Sequence, residues 1–218
     1  MKNLLNLESP LMQMLTRIGD LILLNVLFLI CCIPVITAGA SIAALHKMTQ
    51  EIVYETDSST VKGFFRAFRA NFKQATAVWL VVCVVAASLF CDYLLIITFF
   101  SGSEAVKWML ILLAVLAVLV VCVAAYMFPL LVRYENKLRN HLTNAVILAI
   151  IKLPRTLGML ALIAMPLIIL TLDLNMFLQT LIFWIFICLA FTTYMQTNLL
   201  KAVFTELEGV KDAVKVGI

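Results

Sequence analysis

The sequence predicts an all-α polytopic membrane bundle of about five transmembrane helices, N-out and C-in, forming one domain over residues 1–218. Three observations lead there. First, 64% of residues are hydrophobic and only 13% charged, whereas soluble domains average near half apolar and about a quarter charged. So few charges cannot cover a water-facing surface. Second, the apolar residues gather into runs at about 18–38, 75–100, 105–132, 156–172 and 176–200. These reach the roughly 17 to 25 residues that a helix needs to cross a bilayer, and the fourth only just does. The runs do not alternate in polarity as barrel strands would, and in hydrocarbon a helix satisfies its own backbone. Third, the basic residues are distributed unevenly between the two sides that these spans define. Thirteen (Lys47, Lys62, Arg66, Arg69, Lys73, Arg133, Lys137, Arg139, Lys152, Arg155, Lys201, Lys211, Lys215) fall on one side, against Lys2, Arg17 and Lys107 on the other. By the positive-inside rule the richer side is cytoplasmic.

In the first run, Lys2 and Ala38-Gly39-Ala40 invite a signal-peptide reading. The run, at about 21 residues, exceeds the usual signal core of 7 to 15, so the span is expected to be retained. Pro34 removes a backbone donor and should kink the helix. With Gly39 it marks a candidate hinge, although the small residues at Gly39/Ala43 and Ala40/Ala44 equally suit plain close packing of helices. Ser9-Pro10 has the form of a cap followed by a first-turn proline.

Two further segments have helical patterns but are not expected to cross. Asp57-Ser58-Ser59-Thr60 offers caps to a helix over 61–73. There Val61, Phe64, Phe65, Phe68 and Phe72 fall on one side and Lys62, Arg66, Arg69 and Lys73 on an adjacent one. This reads as a cytoplasmic-side interfacial helix, aromatics in the acyl boundary and cations toward anionic headgroups. The candidate lipid or partner surface is therefore Lys62, Phe65, Arg66, Phe68, Arg69, Phe72 and Lys73. The second segment, 141–153, is too short to cross and ends at Pro154. Tight turns at Ser101-Gly102-Ser103-Glu104 and Asp173-Leu174-Asn175 should join antiparallel neighbours. The two halves share an order of cytoplasmic helix, outward span, turn and inward span, and Tyr126-Met127 and Tyr194-Met195 recur near the ends of the inward spans.

Charged residues inside a membrane are costly and default to functional candidates. Asp92 is the clearest, within the 75–100 run. Asp20 and Asp173 cap helices on the simpler reading; on the sharper one they share an outer polar vestibule with Asp92. Catalytic constellations are not found: the sequence holds no phosphate-binding glycine loop, H-E-x-x-H or G-x-S-x-G. His46 and His141 have no carboxylate at ligand spacing, and the six cysteines sit in apolar runs without a C-x-x-C pair. No enzyme activity, cofactor, metal site or nucleic-acid partner is expected.

Several stretches resemble the YesL-like family of small bacterial membrane proteins. They are Pro34-Val35-Ile36-Thr37-Ala38-Gly39-Ala40-Ser41, Gly63-Phe64-Phe65-Arg66-Ala67-Phe68-Arg69-Ala70-Asn71-Phe72-Lys73-Gln74-Ala75, Tyr126-Met127-Phe128-Pro129, Asn144-Ala145 and Leu153-Pro154-Arg155-Thr156. The resemblance implies a multi-pass protein of the bacterial cell membrane with an accessory or regulatory role in carbohydrate uptake. It also implies sugar-transporter subunits as partners beside the lipid bilayer, and it supplies no catalytic residues. A homo-oligomer is compatible with it. The competing expectation is a stand-alone small-solute transporter working through Asp92.

Overall fold

The computed structural model describes residues 10–56, 59–100 and 104–216, which are helical but for short joints and contain no strand. The caps expected at Ser9, Asp57 and Ser58, and the turn residues Ser101, Gly102 and Ser103, lie outside the described residues.

The first helix, α1, spans Pro10–Cys32. It stops there because Pro34 lacks an N–H and disfavours helical backbone at the preceding residue. A 3-10 turn at Val35–Thr37 reverses the chain. The Thr37 hydroxyl lies 2.6 Å from the Cys31 carbonyl, whose intrahelical partner is missing. The second helix, α2 at Ala38–Val53, then runs back beside α1. Arg17 near the start of α1 pairs at 2.6 Å with Glu55, just past the end of α2. Glu55 itself takes the left-handed conformation, φ 55°, in turning the chain toward the next helix.

Two expectations fail at this hairpin. The 18–38 run does not cross as one kinked helix; Pro34 sits in a full reversal. And N-out/C-in would separate the start of α1 from the later turns of α8. In the structure both meet at one end of the bundle, hereafter the base. Arg17 contacts Glu55 there, and Lys201 of α8 donates to the Val53 carbonyl at 3.3 Å.

Helix α3, Thr60–Phe99, is a single helix of 40 residues. The expected interfacial helix at 61–73 is thus its first third and not a separate element, since nothing between Lys73 and Ala75 breaks a helix. Helix α4, Ala105–Arg133, returns toward the base, and α5, Leu138–Ile151, packs beside it. At Lys152 the chain bends by 102° into α6, Leu153–Leu172. Asp173 then caps α7, Leu174–Phe183, accepting from the Asn175 N–H at 2.8 Å. A π-helical turn at Trp184–Cys188 leads into α8, Leu189–Val216. Four helices are long and apolar enough to cross a membrane (Leu11–Cys32, Thr60–Phe99, Ala105–Arg133, Phe177–Gly209), or five if bent α5–α6 counts as one span.

Packing centres on α2, most of whose residues are buried. Gly39 explains how closely it lies on α3: a Cβ there would stand 2.4 Å from the Trp79 Cβ and 2.5 Å from the Ala75 carbonyl oxygen. Gly39 is thus a site of close helix contact inside α2. Its Cα faces backbone that cannot move aside, as small-residue helix packing requires. One core cluster joins α2, α3, α4, α5, α6 and α8 around Tyr126 and Phe204; the other joins α1, α2 and α3 with Ala190 around Leu24 and Phe64.

Candidate functional site

The basic face of α3 is the first candidate. Lys62, Arg66, Arg69 and Lys73 are all exposed. None forms an ion pair with another described residue. Their helical neighbours do not face lipid as a block. Phe64 is fully buried against α1 and α2. Phe68 is half-buried and packs on the same cluster, Phe72 is half-buried beside it, and Phe65 with Val61 is exposed. Phe64 and Phe68 pack inward on the cluster with α1 and α2, and an amphipathic pattern alone cannot tell a protein core from an acyl chain.

The base is the second. A cleft of about 450 Å³ opens between α1, the end of α2 and the start of α3, lined by Arg17, Asp20, Glu51, Glu55, Thr56 and Thr60 among others. Asp20 accepts from the Thr60 hydroxyl at 2.6 Å, so it ties α1 to the first turn of α3 instead of capping a helix. Nearby, the Arg133 guanidinium pairs with Glu208 at 2.8 Å and lies over the rings of Tyr54 and Phe204, centroids 4.3 and 4.9 Å away. Lys152 pairs with Glu206 at 2.7 Å. These contacts fasten α8 to α2, α4 and the α5–α6 joint. Burial pushes the Tyr54 and Tyr134 hydroxyls above the usual phenol range, so both stay neutral beside this network.

The three carboxylates do not share a vestibule. Asp20 lies at the base, Asp173 caps α7 at the α6–α7 turn, and Asp92 is exposed on the far half of α3. Asp92 has no hydrogen bond or ion pair among the described residues and does not line the base cleft.

Several buried polar residues escaped the sequence reading. Asn25, fully buried in α1, spans the π turn. Its side-chain carbonyl accepts from the Ala190 N–H at 2.8 Å, and its amide donates to the carbonyls of Ile185 and Trp184 at 2.6 and 3.2 Å. A π turn shifts the hydrogen-bond register and frees such backbone groups, and one Asn supplies the donors and acceptor they need. In α2, Thr49 bonds Thr197 at 3.1 Å, and Gln50 donates to the Pro129 carbonyl at 3.0 Å. His46 Nδ1 is buried without a partner. The lone Asn inside an apolar run was the available signal; the α2 residues gave none, because His46-Lys47-Met48-Thr49-Gln50 reads as an aqueous loop.

Chemically, these arrangements fit binding and assembly. Among the described residues no group of three or more His, Cys, Asp or Glu side chains is placed to hold a metal ion.

Residues 21–93, roughly a third of the chain, match a family described as a protein of unknown function, DUF624. The match covers the second half of α1, all of α2 and most of α3, including the Pro34–Ser41 and Gly63–Ala75 stretches. No curated protein and no solved structure matches the chain.

Proposed function

We propose that this chain is a multi-pass protein of the bacterial cell membrane, that its base faces the cytoplasm, and that it acts by binding a partner protein there. The partner class is a carbohydrate-uptake transporter, which makes the protein an accessory or regulatory component of sugar import. The observation that carries this reading is the basic face of α3: four exposed cations without ion-pair partners, on the same continuous helix as an apolar segment long enough to cross a bilayer. Cations left unpaired on a helix face are free for an acidic surface, and such complementarity sets orientation and partner choice. The orientation is supported by charge: with Arg17 at the base, Lys107 is the one described cation near the α3–α4 turn. The sugar-uptake part rests on the YesL-like resemblance.

The test replaces Lys62, Arg66, Arg69 and Lys73 by Gln together, extracts the protein gently and identifies what co-purifies. Sugar-transporter subunits should accompany the native chain and disappear with the variant, while both remain in the carbonate-washed membrane fraction. Undiminished recovery of those subunits with the variant would remove the basic face from the role. The transporter alternative through Asp92 has weaker support, because that carboxylate faces outward and joins no polar path.

A further inference from the structure

Between α3, α4 and α5 lies an apolar groove of about 560 Å³. Its walls are equal in length. Ala77 to Val85 of α3, Leu119 to Met127 of α4 and Leu138 to Val146 of α5 each cover eight residue steps, about 12 Å of helix. That is short for a docked helix and well suited to one extended hydrocarbon chain. All lining side chains but one are aliphatic or Met. The exception is Arg139, at the end of the groove where α5 begins. Arg139 is exposed and makes no ion pair among the described residues. An apolar slot thus has one cation in its lining, Arg139.

We infer that this groove is a binding site for one anionic phospholipid, an acyl chain between α3, α4 and α5 and the phosphate at Arg139. The tail gives fit but little discrimination, because lipid chains elsewhere in the bilayer are as apolar as the groove. Selection among lipids therefore comes from the headgroup, at about fivefold per cation. Arg139 suits the task, since its planar fork grips two phosphate oxygens at once.

The inference rests on the membrane reading, and the experiment separates the two. The full chain is purified in detergent and offered phosphatidylglycerol or phosphatidylcholine carrying a photoactivatable group in one acyl chain; adducts are then mapped by mass spectrometry. Phosphatidylglycerol should label residues 77–85, 119–127 and 138–146 several-fold more than phosphatidylcholine does. Arg139→Gln should lower that capture about fivefold, Arg139→Lys much less, and Val123→Trp, which fills the slot, should remove it. Lys107→Gln, at a cation remote from the groove, should change nothing. Equal capture of the two lipids, full capture by Arg139→Gln, a loss with Lys107→Gln, adducts elsewhere, or cross-linked dimers through the groove would each overturn the site. Release of the native chain from membranes by carbonate would instead overturn the membrane reading itself.

Discussion

The first and second halves of the chain solve the same local problem differently. Each joins a shorter helix near the base to a long apolar one. In the first half the joint at Gln74 is invisible, and α3 continues for 40 residues. In the second half the joint at Lys152 bends by 102°. The cause is local. Lys73-Gln74-Ala75 contains no helix breaker and lies where Gly39 lets α2 press against α3. Ile151-Lys152-Leu153-Pro154 puts a proline in the first turn of α6, where its missing N–H costs nothing and its ring disfavours carrying the preceding helix straight on. Thr156 then closes the corner, its hydroxyl between the Ala149 carbonyl and Tyr126 Oη, each 3.0 Å away. The folded joint has a first-turn proline and the Thr156 bonds; the fused joint has neither.

That contrast can be broken most severely at the fused joint. Gln74→Pro should cost about 3 kcal/mol or more by removing a backbone hydrogen bond and clashing with the preceding turn. Unfolding in mixed micelles should show the loss, and an unchanged transition would mean that α3 is already jointed there. A smaller effect is expected from Gly39→Ala, about 1–3 kcal/mol, because the added methyl meets the Trp79 Cβ and the Ala75 carbonyl on a wall that can shift only as a whole helix. If Gly39→Ala is neutral in the same assay, the close α2–α3 contact is not what keeps α3 straight. The least change is expected at the folded joint. Thr156→Val should cost about 1–2 kcal/mol by leaving the buried Tyr126 hydroxyl without its partner. Spin labels on α5 and α6 should then show a broader distance distribution across the bend. A distribution as narrow as in the native chain would assign the corner to Pro154 alone.

Much of the helical layout was legible in the sequence, because long apolar runs admit few structures. The 75–100 run falls within α3 except for its last residue, the 105–132 run falls within α4, and Asp173 caps α7 as expected. The α1–α2 hairpin was not legible. Pro34 within an apolar run is compatible with a kink or a reversal, and the choice depends on what receives α2. That helix carries Ser41, His46, Thr49 and Gln50 in its buried positions. Polar residues look water-facing in sequence when their partners, here Thr197 and the Pro129 carbonyl, lie far along the chain. The same blindness affects Phe64, whose stripe points to an apolar neighbour without saying which. For the candidate site, the exposed cations of α3 were readable as a helix face. The grouping of Asp20, Asp92 and Asp173 was not, because the hairpin puts Asp20 beside Thr60 at the start of α3, and Asp92 lies on the far half of that helix.

The unbroken length of α3 has a mechanical consequence. Forty residues at 1.5 Å each make a rod of about 60 Å. If it pivots where Gly39 presses on Ala75, about 22 Å of it lies on the Thr60 side and about 36 Å on the Phe99 side, which carries Asp92. A tilt of about 5° driven by a partner holding the cations would swing the Phe99 tip by about 3 Å. Transmission of that kind needs no rearranged loop, only a stiff lever. The bent α5–α6 pair has no such continuity, so a force applied at its base end is spent at the corner.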